Sequence, residues 1–311
     1  MSTDVDAWVL SRRPVREQLD PYLPYAYFVE EERAPNGEVV PAATVLITNR
    51  ECPFRCVMCD LWRNTLTETV PAGAIPKQID HALSLLPPAR HLKLYNSGSF
   101  FDSKAIPPQD YGEIAQRGNQ FERLIIENHP ALVGDTCLRF RELLRGQLEV
   151  AMGLETAHPE VLARLNKRMT LQQFSRAAKF LCSHGIDLRV FILVQPPYMP
   201  ASEALKWAER SLDFAMECGA TVAVLIPTRS GNGAMDELEA RGEFAVPALR
   251  TLEAAMEYGL RLKAGRVFAD LWGLKVSCES CHPQRAARLH QMNLRQLLLE
   301  RIPCSRCNGA S

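Results

Sequence analysis

The sequence predicts an α/β protein built on a parallel sheet. Three observations predict it: apolar, β-branched runs recur along the chain, amphipathic helical stretches lie between most of them, and several runs lack clean polar–apolar alternation. Parallel strands are covered by helices on both faces, so they read as near-continuous apolar runs. Repeated β-α order implies right-handed crossovers and a parallel sheet.

The runs are "TVLIT" from Thr44, "HLKLY" from His91, "RLIIE" from Arg123, "EVAMG" from Glu149, "LRVFILV" from Leu188 and "TVAVLI" from Thr221, with starts 26 to 47 residues apart. Thr170 followed by Gln173 reads as a capping box for a helix through Phe174, Ala178 and Leu181 that stops at Gly185. Leu205, Ala208, Leu212 and Ala215 form a stripe at helical spacing ended by Gly219, and a further helix runs from about Pro247 to Lys263 with Gly265 behind it. An eight-unit barrel usually needs ~250 residues. The about 190 residues from Pro41 to Ser230 suit a six-unit open barrel or a doubly wound sheet. The organisation expected is an N-terminal extension over 1–40, a core over 41–272 and a Cys-rich extension over 273–311.

Composition bounds the function. Of 311 residues, 47% are hydrophobic and 23% charged, which argues for a folded globular chain. The formal net charge is zero, so no global field draws the protein to nucleic acid or membrane. The tail from Arg261 to Ser311 nonetheless carries nine Lys/Arg against three Asp/Glu, a local charge of +6 on an acidic body. No apolar run approaches the ~18 residues of a membrane span, and the opening "MSTDVDAWVLSRRP" lacks the apolar segment of a signal peptide. A cytoplasmic protein is expected. Its ten cysteines would then be reduced, and clustered ones would be metal ligands before disulfides.

"ECPFRCVMCD" places Cys52, Cys56 and Cys59 at C-x3-C-x2-C directly after the first run, where parallel α/β folds form their active face. A 4Fe–4S cluster usually takes one cysteine per iron, so three thiolates leave one iron open for a substrate or co-substrate. Zinc with a distant fourth ligand is the competing reading, and a chance group of buried thiols the plain one. The ends of the other runs are polar. They offer Asn96, Ser97 and Gly98 in "YNSGSFFD", Glu127, Asn128 and His129 in "IENHP", Glu155 in "MGLET" with Lys167 and Arg168 beyond it, and Arg229 in "IPTRSGNG". His129 alone reads more readily as a satisfied structural histidine than as a substrate contact, and Arg229 as a solvated loop residue or a partner for an anionic substrate. The tail pairs Cys278 with Cys281 and Cys304 with Cys307, two C-x2-C knuckles that can close one metal site, either zinc or a second 4Fe–4S cluster. "CESCH" also fits c-type haem attachment, but that reading leaves the second knuckle unexplained. Cys137, Cys182 and Cys218 read as buried structural thiols.

The C-x3-C-x2-C loop is similar to that of the radical SAM superfamily. "CPFRCVMCDLW", "LYNSGSFFD", "GLET" and the proline pair after the fifth run together resemble most closely the radical SAM enzymes of archaeosine biosynthesis and their uncharacterised relatives. The resemblance implies a six-unit partial (β/α)6 parallel barrel. It implies a 4Fe–4S cluster on Cys52, Cys56 and Cys59, and S-adenosylmethionine (SAM) cleaved there to a 5′-deoxyadenosyl radical. It places the SAM amino group at Asn96, Ser97 and Gly98, the ribose at Glu155 and the SAM carboxylate at Arg168, with Lys167 the alternative; it names no catalytic residue. Met58 stands where the superfamily usually has an aromatic residue before the third cysteine. In the archaeosine branch the reaction breaks a C–N bond of a lysine-bearing 7-deazaguanine in tRNA after a second enzyme attaches the lysine. Carried over, this implies tRNA, that second enzyme and an electron donor such as flavodoxin or ferredoxin as partners, no membrane, and a basic, metal-bearing tail that touches RNA. A small-molecule or peptide substrate is the alternative. A non-catalytic iron–sulfur electron carrier or scaffold is the alternative of another class.

Overall fold

The structure is a computed structural model that describes residues 2–274, 276 and 278–307; residues 275, 277 and 308–311 of the tail lie outside the described residues. Eight strands form one sheet in sequence order: β1 (Ala26–Arg33), β2 (Val39–Leu46), β3 (His91–Tyr95), β4 (Arg123–Glu127), β5 (Gln147–Glu155), β6 (Asp187–Val194), β7 (Val222–Pro227) and β8 (Arg266–Ala269). β1 pairs antiparallel with β2, and every later pairing is parallel.

The six apolar runs fall on β2 to β7, but the sheet exceeds the six units expected. β8 is a seventh parallel strand of four residues, too short to show a pattern. β1, "AYFVEEER", carries a run of charge that masks its strand character.

The sheet is curled. Glu32 on β1 accepts a 2.7 Å hydrogen bond from Nη2 of Arg189 on β6. In a flat sheet those strands would stand about 24 Å apart. The charged cluster that spans the lumen also includes Lys93 on β3, which donates to Glu30 at 2.7 Å, and the fully buried Glu149 on β5, which takes Nε of Arg189 at 2.5 Å and Nη1 of Arg123 at 3.1 Å. Burial pushes the Glu32 carboxyl up, but Arg189 and Lys93 outweigh it and hold the group well below its ordinary range. Glu149, Arg189, Arg123 and Arg266 sit near the N-terminal ends of their strands, so this network plugs the bottom of the half-barrel and leaves the C-terminal mouth open.

Helices α2 (Ala74–Leu85), α3 (Tyr111–Gly118), α4 (Asp135–Glu142), α6 (Leu171–Ser183), α7 (Ala204–Glu217) and α9 (Leu249–Leu262) alternate with the strands, and their apolar faces join the main core. The Thr170–Gln173 capping box opens α6 as expected, with both reciprocal bonds made. Gly219 follows α7 at φ +93°, a left-handed turn that favours glycine. The short helix α5 (Pro159–Arg164) follows β5. Two further helices, α1 (Ser2–Arg12) and α8 (Ala234–Ala240), form a second small core of Val9, Val57, Met235, Leu238 and Phe244 beside the cysteine loop.

The open side of the half-barrel is covered by α10 (His282–Arg295), which packs on both β1 and β8. Its side chains finish the free edge of β8. The Asn293 amide bonds both the N–H and the C=O of Ala269, at 2.8 and 2.9 Å, and the Gln296 amide does the same for Val267, both at 2.8 Å. Two carboxamides thus take the place of a neighbouring strand and blunt an edge that would otherwise invite pairing.

No helix among the described residues is long and apolar enough to cross a membrane.

Candidate functional site

The three-cysteine loop leaves the C-terminal end of β2 and is held from several directions. The Gln78 amide on α2 clamps the strand end through Thr48 N–H and C=O at 2.8 and 2.7 Å. Within the loop, Val57 N–H donates to Leu165 at 3.0 Å, Asn232 donates to the carbonyls of Val57 and Cys59 at 2.8 and 3.1 Å, and Asn166 donates to Arg55 C=O at 2.8 Å. Glu51 at the loop's start gathers Arg13, Arg16 and Arg55, and Arg13 lies 4.6 Å over the Trp62 ring. Cys52, Cys56 and Cys59 are therefore held in place by the N-terminal segment, the turn after α5 and Asn232 just before α8.

The thiols sit close enough to feel one another's charge. Burial pushes Cys52 up to about 11 and Cys56 up to about 12, against the opposing pull of Lys167, and drives Cys59 higher still. Such buried groups stay thiols in the chain alone, and a bound cation would be what brings them to the thiolate form. Among the described residues these three do not gather as the ligand set of a single ion.

The turn after β3 meets the loop. A Cβ on Gly98 would stand 3.2 Å from Cys52 Cβ, so only glycine lets the turn come this near without displacement. Glu127 at the end of β4 receives Gly98 N–H at 3.3 Å and also binds the N–H groups of Asn96 and Ser97; burial raises its carboxyl to about 7. Ser97, at φ +53°, exchanges a 3.0 Å hydrogen bond with Tyr25. Asn96 is fully buried, and neither atom of its side-chain amide has a partner among the described residues. Such a group costs about 1–3 kcal/mol unless a ligand or water completes it.

At the end of β5, "GLET" makes a bulge between Gly153 and Glu155 against β6, and Glu155 turns left-handed at φ +66°. The turned carboxylate forms a buried ion pair with Lys167. A Cβ on Gly153 would meet the charged ends of both Glu155 and Lys167, so a side chain there would make the pair shift. The structure does not bring Arg168 to Glu155. Asn166 and Arg168 are both left-handed, at φ +56° and +55°, and the turn throws Arg168 outward, where it pairs with Asp6 of α1 with its side chain 41% exposed. Lys167 is the base at the mouth, and it lies near Cys52 and Cys56 as well.

No protein-family model matches the chain. An uncharacterised protein of Methanocaldococcus jannaschii is 22% identical over 243 residues, 73% of this chain and 66% of that protein. Archaeosine synthase subunit beta of Methanosarcina acetivorans is 23% identical over 228 residues, 69% of this chain and 65% of that protein. The chain thus spans slightly less than two thirds of either relative. Methylornithine synthase shares the fold at a TM-score of 0.51 with 14% identity, over 75% of this chain and 73% of that one. The chain is similar in sequence to archaeosine synthase subunit beta and shares its fold with methylornithine synthase.

Other residues of this mouth brace it. His129 is a satisfied structural histidine: its Nδ1 accepts from Ala131 N–H at 3.1 Å, Nε2 faces Lys167 C=O at 3.0 Å, and the ring stacks on Phe54 at 3.8 Å. Burial lowers it to about 3, so it stays neutral. Asn128 ties Phe101 N–H to its own loop. Gln195, left-handed at φ +55°, ends β6 and donates to Ala245 C=O. Arg229 at the rim pairs with Asp270. Sequence reasoning missed Tyr25, Asp6 and the placement of α1 because nothing in their local pattern speaks of contacts a hundred residues away.

In the tail, Cys278, Cys281, Cys304 and Cys307 bring their four sulfurs within 4.8 Å of one another. The tail's basic face is corrected. Arg285 and Arg288 are buried against Glu253 and Glu257 of α9, and Arg301 also binds Glu257, at 2.7 Å. Two carboxylates of α9, Glu253 and Glu257, thus take up three of the arginines counted in the tail. Cys182 is also corrected: it is exposed, whereas Cys137 and Cys218 are buried.

Proposed function

We propose that this chain is a radical SAM enzyme that binds a 4Fe–4S cluster and SAM at the C-terminal mouth. The observation that carries the reading is the loop of Cys52, Cys56 and Cys59 locked above a turn that holds the buried, unpartnered Asn96 amide. The residues fit the group. Three thiols would hold three irons, the Gly98 approach keeps the turn against the loop, and the Asn96 amide has free bonding capacity for SAM's amino end. When bound, the reduced cluster supplies the electron that cleaves SAM to methionine and a 5′-deoxyadenosyl radical. The chain's own work is to orient. Glu155 accepts ribose hydroxyls while Lys167 holds it in place and offers positive charge toward the SAM carboxylate, the part first expected of Arg168. The 96–98 turn, braced by Glu127, fixes the amino end.

For the substrate we propose a lysine-bearing 7-deazaguanine in tRNA, with C–N bond cleavage leaving an amidine, a second enzyme that supplies the lysine and an electron donor of the flavodoxin or ferredoxin type. The likeness to archaeosine synthase subunit beta of Methanosarcina acetivorans supports this reading. The test is anaerobic reaction of the iron-loaded chain with tRNA carrying that base, read by nucleoside mass spectrometry. Loss of the lysine carbon skeleton with SAM consumption is expected; an unchanged nucleoside alongside SAM cleavage would move the substrate elsewhere and leave the enzyme class standing.

A further inference from the structure

The tail sulfurs are spaced for one ion. Cys278 Sγ lies 3.9 Å from Cys304 Sγ, and Cys281 Sγ lies 3.5 Å from Cys307 Sγ. Each close pair takes one cysteine from each knuckle, so the four form one interleaved set and not two dithiols. Zinc bound tetrahedrally at Zn–S of about 2.3 Å places its sulfurs about 3.8 Å apart. A 4Fe–4S cluster puts each thiolate on its own iron at a separate corner and spreads the sulfurs further. A disulfide needs about 2.05 Å, and all four cysteines are free.

The surroundings show what such an ion would fasten. Cys281 is the N-cap of α10, while Cys304 and Cys307 lie at the end of the segment that returns along that helix. Arg288 of α10 holds this segment through the carbonyls of Leu299 and Glu300, at 2.7 and 2.8 Å. Leu297 and Leu298 in the segment remain exposed, so apolar burial does little to keep it folded. Arg285 binds Glu253 of α9 and directs Nη1 at Cys281 Sγ, 3.9 Å away. Four thiolates on a divalent ion leave a double negative charge, and this guanidinium partly offsets it.

We infer that Cys278, Cys281, Cys304 and Cys307 hold one tetrahedral zinc ion that pins α10 and the returning segment over the β8 edge. Binding displaces the four thiol protons to solvent, with no change of oxidation state. The ion closes the loop around α10, and α10 in turn keeps Asn293 and Gln296 in register with Ala269 and Val267. The inference stands independently of the mouth chemistry.

The test uses the full chain purified without oxygen. Elemental analysis should give one zinc per chain in addition to the mouth iron. Cys304→Ser with Cys307→Ser should lose the zinc and keep the iron. Arg285→Gln should bind zinc ten- to a hundredfold more weakly in competition with a chromophoric chelator. Cobalt placed at the site should show the intense thiolate and tetrahedral bands of an S4 set. Should the double variant fail to fold, the wild-type chain answers by hydrogen exchange. Removing zinc should speed exchange of the Val267 and Ala269 amides while leaving those of β3 and β4 unchanged. Iron at the tail thiols, a chain with no tail metal, or zinc removal without effect at Val267 and Ala269 would overturn the inference.

Discussion

Lys167 reaches back across the turn after α5 to pair with Glu155, and the two charges lie together under the mouth beside Cys52 and Cys56. The pair sits on the one residue, Gly153, whose missing side chain makes room for it. Removing one partner of a buried pair leaves the other uncompensated, at about 3–5 kcal/mol. Glu155→Gln and Lys167→Met should each lower SAM affinity at least tenfold and reduce the melting temperature. Arg168→Ala removes only the exposed pair with Asp6, worth about 0–1 kcal/mol, and should change neither much. Calorimetric SAM titration of the three variants, with the iron content matched, checks this. A larger loss in Arg168→Ala than in Lys167→Met would return the SAM carboxylate to Arg168.

Asn96 presents the opposite balance, because its amide contributes nothing to the folded chain alone. Asn96→Leu is expected to keep or raise thermal stability in the metal-free protein, since a group unsatisfied at about 1–3 kcal/mol is removed. SAM binding should fall in the same variant. Thermal melts with and without SAM read both effects, and a destabilised Asn96→Leu with normal SAM binding would make the residue structural.

The lumen network is expected to be brittle. Arg189 joins Glu32 to Glu149 across the curled sheet, so Arg189→Met leaves two buried carboxylates short of a partner. Denaturant unfolding should show a loss of about 3–5 kcal/mol. Adding Glu32→Leu should recover part of it, because the stranded charge is then gone.

Acid should loosen the tail through Glu257. Hydrogen bonds from Arg301 come first, with those from Arg288 adding to them against the effect of burial, and together they lower the Glu257 carboxyl to about 2 from 4.5. A carboxyl with a depressed folded value gives stability that is fully present above 4.5 and is lost as pH falls toward 2. Release of the tail from α9, followed by hydrogen exchange in α10, should occur in that window. Glu257→Gln should release it at neutral pH, and the acid step should shrink accordingly.

The core of this fold was readable because burial leaves a pattern. The runs at Thr44, His91, Arg123, Glu149, Leu188 and Thr221 are each long and apolar enough to show as parallel strands. β1 was hidden because "EEER" faces partly into a charged lumen, where Glu32 is buried only through pairing with residues of β3 and β6. β8 was hidden by its length, and its edge is completed by side chains 24 and 29 residues away. At the site, spacing picked out the three cysteines, and the resemblance pointed to Asn96, Ser97, Gly98 and Glu155 at the strand ends. It could not choose between Lys167 and Arg168, because the left-handed turn at Asn166 and Arg168 decides which way each side chain points. The tail shows the limit of counting charge: its arginines are real, but their partners Glu253 and Glu257 belong to α9.

The most direct test of the central claim is the yield of 5′-deoxyadenosine from SAM. The chain is loaded anaerobically with iron and sulfide, reduced with dithionite and analysed by chromatography with mass detection. The account predicts about four irons at the mouth, 5′-deoxyadenosine and methionine in equal amounts, and loss of both products when Cys52, Cys56 or Cys59 is changed to Ala. A loaded, reduced and folded chain that leaves SAM intact, or one whose product survives those changes, would contradict it.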